Sequence, residues 1–158
     1  LLGYGNGSFA AAKTYSTGAG SIPLYSGVAD FNNDSIIDIA VANSYSNSIV
    51  VLFGLGDGSF LAGKPYSTGK GSSPASLAIG DFDRDRRIDI AVANSQSNSI
   101  GVFLASDYEP FSVVTEYGTG DSSQPHAVGV DDFNHDGNWD IAVANFGANN
   151  LGIFLGHG

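Results

Sequence analysis

Three acidic windows hold most of the residues in this sequence that could do chemistry. Asp30, Asn32, Asp34 and Asp38 stand at positions 1, 3, 5 and 9 of one nine-residue segment. Asp81, Asp83, Asp85 and Asp89 repeat that spacing, and Asp132, Asn134, Asp136 and Asp140 repeat it again. Carboxylate and carboxamide oxygens so spaced suit a hard cation such as Ca²⁺, which takes about six to eight oxygens at roughly 2.3–2.6 Å. Alternate residues of a tight turn point inward, so positions 1, 3 and 5 wrap oxygens around one point. Position 7, occupied by Ile36, Arg87 and Asn138, is expected to add a backbone carbonyl. Without a cation the converging carboxylates would repel one another. Asp and Asn also favour ordinary hairpin turns, but three copies at one spacing favour the metal reading. Up to three Ca²⁺ per chain are expected.

Composition narrows the alternatives. The 158 residues carry 16 acidic and only six basic side chains, a formal net charge of -10. That balance offers no footprint for nucleic acid or an anionic membrane. Eleven of the acids lie in 30–38, 81–89 and 131–140, and the other five (Asp57, Asp107, Glu109, Glu116 and Asp121) are scattered. There is no cysteine, which excludes thiol nucleophiles, disulfides and zinc–thiolate sites. There is no methionine either, so the sequence is expected to be a mature fragment or a proteolytic piece. No apolar run approaches membrane-spanning length and no signal peptide is visible, so membrane insertion is not expected.

The elements that must position the acids are themselves repeated. Asp30, Asp81 and Asp132 open the segments ADFNNDSIIDIAVAN, GDFDRDRRIDIAVAN and DDFNHDGNWDIAVAN at intervals of 51 residues. Phe9, Phe60 and Phe111 follow the same register, as do Tyr15, Tyr66 and Tyr117. The chain reads as one domain over 1–158 with units near 1–51, 52–102 and 103–153. Within a unit, residues 75–80, 89–93 and 99–104 read as strands, and 62–67 as the strand completing the preceding unit. Clusters of Gly, Ser, Asn and Asp separate them. The Ile-Ala-Val-Ala run is apolar throughout, as suits a strand covered on both faces. Four short strands per unit at this period imply an all-β fold, a β-propeller of three four-stranded blades.

The acidic pattern followed by IAVAN and a glycine-rich turn ending in Phe resembles the FG-GAP/VCBS repeats, the blades of integrin α-subunit heads and of many secreted propellers. The resemblance covers essentially the whole chain. It implies Ca²⁺ in the loop between the first and second strands, an extracellular setting, and binding or adhesion rather than catalysis. The family favours Gly at position 6 of the loop, which Gly137 keeps and Ser35 and Arg86 do not. Loop three is therefore expected to bind best. Arg84, Arg86 and Arg87 in loop two are expected to point outward.

Three blades cannot close a ring. The chain starts in the phase of an outer strand and finishes in a third strand, so self-association into a six-bladed homodimer is expected, the alternative being part of a longer propeller. The loops opposite the acidic windows, 44–47, 95–98 and 146–149 with 17–22, 68–73 and 119–124, are rich in Ser, Asn and Gln. A protein or glycan ligand would engage that face, and a sugar-binding lectin is the alternative within binding modules. A lyase or hydrolase on the same scaffold is the alternative from another class. His126, His135 and His157 have no counterparts in the other units, and Trp139 takes the apolar slot of Ile37 and Ile88.

Overall fold

The computed structural model describes residues 2–106, 110–111 and 113–157. These residues contain no helix, hence none long and apolar enough to cross a membrane. Eleven strands are present: β1 (Pro23–Ala29), β2 (Asp38–Asn43), β3 (Ser48–Leu52), β4 (Lys64–Ser67), β5 (Pro74–Gly80), β6 (Asp89–Asn94), β7 (Ser99–Leu104), β8 (Val113–Gly118), β9 (Pro125–Asp131), β10 (Asp140–Asn145) and β11 (Asn150–Phe154). They form antiparallel meanders: β1-β2-β3-β4, β5-β6-β7-β8, and a three-stranded β9-β10-β11. The sequence expectation of all-β repeats holds.

The second strand of each sheet, Asp-Ile-Ala-Val-Ala-Asn, is paired on both edges. Its residues are small because successive sheets stack face to face. In β6, Ile90 and Val92 join a core with Ile49, Val51, Leu77 and Phe103 from the first two sheets. Ala91 faces the other way, into a core with Ile100, Ile141 and Val143. Side chains alternate across a strand, so one apolar run serves two interfaces. The first strands adjoin, β1 against β5 and β5 against β9. β5, flanked on both sides, is largely buried, whereas β1 and β9 are mostly exposed.

Two differences from the sequence reading appear. β4 begins at Lys64, two residues later than expected. The outer strand expected near the N-terminus carries no ladder: residues 10–18 form no strand. A strand needs an edge to pair with, and the described fold presents no free third strand beside this segment. Instead Tyr15 packs edge-on against Phe60, with ring centroids 5.4 Å apart, over Val41, Val50 and Leu52.

Candidate metal centre

Each acidic window is the loop joining the first and second strands of its sheet. Position 9 opens the second strand and is buried in all three loops. Its carboxylate is a structural tie. Asp38 accepts N–H bonds from Phe31 (2.9 Å) and Gly54 (2.8 Å), Asp89 from Phe82 (2.7 Å) and Ala105 (2.8 Å), and Asp140 from Phe133 and Gly156 (both 2.8 Å). One oxygen holds the start of the loop and the other holds the chain where it leaves the third strand. Sequence spacing alone did not reveal this role, because the second donor lies 16 residues away.

The remaining carboxylates are organised by backbone turns. Position 5 accepts the N–H of position 7 at 2.8 Å in every loop. Asp30 accepts the N–H groups of Asp34 and Ser35, and Asp132 those of Asp136 and Gly137. Positions 4 and 6 are both left-handed: Asn33 and Ser35 at φ 60° and 68°, Arg84 and Arg86 at 61° and 69°, His135 and Gly137 at 60° and 83°. Position 6, where loop three keeps Gly137, is thus left-handed in every loop, and so is position 4. Positions 3 then separate the loops. Asn32 and Asn134 donate their amides to Asp34 and Asp136 at 2.9 Å. Asp83 has no proton to donate.

Loop two brings three of its acids together. Among the described residues, Asp81, Asp83 and Asp89 are the set whose carboxylate oxygens lie within 4.8 Å of one another. Ligands about 2.4 Å from one ion are at most about 4.8 Å apart, so the three can share a hard cation. Asp81 Oδ1 is buried and has no hydrogen-bond partner. Burial, followed by the charges of Asp83 and Asp85, pushes the Asp89 carboxyl up to about 6. Burial likewise raises Asp38. Asp136 is lowered, chiefly by the Asn138 N–H and the Asn134 amide. An all-oxygen donor set with an orphaned buried carboxylate oxygen fits Ca²⁺.

Two of the three arginines of loop two do not simply point outward. Arg87 pairs with Asp85 at 3.3 Å, which occupies the position-5 carboxylate. Arg84 crosses to loop three, where Nε donates to the Gly137 carbonyl at 3.1 Å and Nη2 to that of Asp136 at 3.4 Å. Of the position-7 residues, Ile36, Arg87 and Asn138 donate their N–H groups to position 5, and Asn138 Oδ1 is buried without a partner.

On the opposite face much of the polar surface is already spent on the fold. Thr17–Ser21, Thr68–Ser72 and Thr119–Ser123 are hydroxyl pairs at 2.6–2.8 Å, and Asn47 and Asn98 cap the next loop at Ser73 and Gln124. A polar hollow of about 510 Å³ remains between the second and third sheets, lined by Ser95, Gln96, Asn98, Ser122, Gln124 and His126. His126 lies at its rim, its ring 5.0 Å from that of Phe146. His135 and His157 are exposed. Of the five scattered acids, Asp107 and Glu109 lie outside the described residues.

No curated protein matches the chain. The model of the FG-GAP-like repeat matches twice, over residues 30–92 and 81–143. Each match begins at an acidic loop and runs past the next one, so the matched register is the register of the loops. Spanning most of the sequence between them, the two matches place this chain in the FG-GAP-like repeat family.

Proposed function

We propose that the chain is a Ca²⁺-binding, extracellular module of the β-propeller type that binds or adheres and carries out no reaction of its own. The observation carrying this reading is loop two, where Asp81, Asp83 and Asp89 converge and Asp81 Oδ1 is buried without a partner. Up to three ions are held, by Asp30, Asn32, Asp34 and Asp38, by Asp81, Asp83, Asp85 and Asp89, and by Asp132, Asn134, Asp136 and Asp140. The carbonyls of Ile36, Arg87 and Asn138 complete the loops. The metal is structural: it neutralises each loop and fixes the turn that joins the first and second strands. Family membership supports the binding role and the extracellular setting.

Calorimetric titration of the chelator-stripped chain with Ca²⁺ tests this, with thermal melts in parallel. Heat of binding with Kd about 10⁻³ M or tighter and a higher Tm are expected. Absence of heat up to about 10 mM Ca²⁺, ten times the weakest affinity expected of such modules, with a Tm indifferent to EGTA, would sink the proposal.

A second reading concerns the ligand. The polar hollow at Ser95, Asn98 and Gln124, with the His126–Phe146 ring pair at its rim, offers the amides, hydroxyls and aromatic edge that sugars use. Glycan-array binding lost in Gln124→Ala supports a lectin. A blank array favours a protein ligand on that face.

A further inference from the structure

Phe111 lies at the junction of the first two sheets in a socket of three rings. Its centroid is 5.7 Å from Phe31, 5.4 Å from Tyr66 and 6.3 Å from Phe103, all edge-on. It is only 5% exposed. The 51-residue register carries this socket onto Phe82, Tyr117 and Phe154 at the junction of the second and third sheets. Those three rings line an open groove of about 440 Å³, with Trp139, Leu155 and His157. No described side chain fills it as Phe111 fills the first.

The chain also carries an unused knob. Phe9 stands in the register of Phe60 and Phe111 yet is 62% exposed. Its hairpin is already shaped. Gly3 bridges Phe9 as Gly54 bridges Phe60. Tyr4 N donates to the Ser8 carbonyl as Leu55 N does to that of Ser59, and Asn6 holds the Ser8 N–H as Asp57 holds that of Ser59. The neighbouring sheet face is bare as well. Leu151 is 64% exposed, whereas its equivalents Ile49 and Ile100 are fully buried beneath a following sheet.

We propose that Phe9 of a second copy of this chain fills the groove formed by Phe82, Tyr117 and Phe154, joining two copies head to tail. The incoming hairpin exchanges its own Gly3–Phe9 bridge for one to Gly156, the residue equivalent to Gly54. Each copy offers one knob and one socket, so two copies satisfy both and close on a two-fold axis. Asp83 of loop two also lines the groove, but the contact is made by the rings, so Phe9→Ala and Tyr117→Arg test it without altering the acidic loops.

The sole tryptophan, Trp139, lines the groove and reports on it. In buffered Ca²⁺, light scattering is expected to give twice 16.2 kDa, with Trp139 emission shifting to the red on dilution. Phe9→Ala is expected to weaken association by about 30-fold or more per contact, as for a buried aromatic anchor, and to red-shift the emission at all concentrations. Tyr117→Arg, which blocks the socket, should also be monomeric, and mixing it with Phe9→Ala should restore one contact and a two-copy species. Phe60→Ala, the same truncation at an internal knob, is expected to lower Tm while leaving the mass unchanged. A folded wild-type monomer, open-ended polymers, or a Phe9→Ala chain that still dimerises would each overturn the proposal.

Discussion

Loops two and three share a backbone path and differ in how they hold their charge. Both place position 9 beneath the turn, where its carboxylate accepts two backbone N–H groups, and both turn left-handed at positions 4 and 6. In loop three Asn134 donates an amide to Asp136, and Arg84 arrives from loop two to lie against the Asp136 and Gly137 carbonyls. In loop two Asp83 has nothing to donate, Asp81 Oδ1 is orphaned, and Asp89 is pushed up to about 6. Loop three ties its position-5 carboxylate to the Asn134 amide, though Asn138 Oδ1 has no partner, whereas loop two leaves a carboxylate oxygen of Asp81 unpaired. The sequence favoured loop three as the best site because it keeps Gly137. The geometry puts a left-handed residue at position 6 of every loop, which suits glycine, and puts the converging carboxylates in loop two.

The deepest test removes what the two loops share. Asp89→Ala leaves the Phe82 and Ala105 N–H groups unpaired, and each such loss costs about 1–3 kcal/mol. A destabilisation of about 2–5 kcal/mol is expected, and it should persist in EGTA because the tie exists without metal. Asp140→Ala should behave alike. If denaturant melts show either loss vanishing on chelation, position 9 acts through the ion and the two loops share no metal-free frame.

Protonation probes the difference next. The Asp89 carboxyl rises from 3.8 unfolded to about 6 folded, so between those values the folded chain holds the extra proton. The chelated protein is therefore expected to be most stable below pH 3.8 as far as Asp89 is concerned, and to lose that contribution as pH rises through 6, by no more than about 3 kcal/mol. Saturating Ca²⁺ should reverse the slope, since the ion needs the ionised carboxylate. Tm against pH in EGTA, for wild type and Asp89→Asn, reads this out, and identical slopes would refute the assignment.

Exchanging position 3 sharpens the comparison with a smaller effect. Asp83→Asn gives loop two the amide of loop three and is expected to stabilise the chelated chain by about 0.5–1.5 kcal/mol, one hydrogen bond, while weakening its Ca²⁺ affinity. Asn134→Asp should do the opposite. Calorimetry and melts on the pair would undo the argument if both changes moved apo stability in the same direction.

Much of the frame was readable from residues alone. The Ile-Ala-Val-Ala run announced a strand covered on both faces, and Ile90, Ala91 and Val92 divide between two cores as that requires. The spacing announced convergence of Asp81, Asp83, Asp85 and Asp89; Asp81, Asp83 and Asp89 do come together, while Asp85 pairs with Arg87. What escaped depends on partners far along the chain. Arg84 meets a carbonyl 53 residues away, and Asp89 an N–H 16 residues away. Local spacing carries no record of either. The N-terminal segment had the composition of an outer strand, but a ladder needs a free edge as well as a sequence, and Tyr15 found the Phe60 ring instead.

The smallest expected effect separates backbone from charge. Arg86 sits at φ 69° where loop three has Gly137 at 83°. A side chain in that region costs roughly 1–2 kcal/mol, whereas glycine loses roughly 0.5–1 kcal/mol more conformational freedom on folding. Arg86→Gly should therefore stabilise the chain by about 0.5–1 kcal/mol, or roughly 1–4 °C in Tm. It should also tighten Ca²⁺ in loop two by removing a nearby positive charge. Arg86→Ala removes the same charge and keeps the strained backbone. It should match the glycine variant in Ca²⁺ affinity and fall short of it in apo Tm. Equal melts for the two variants would mean that the turn at position 6 carries no strain. The loops would then differ only in how they hold charge.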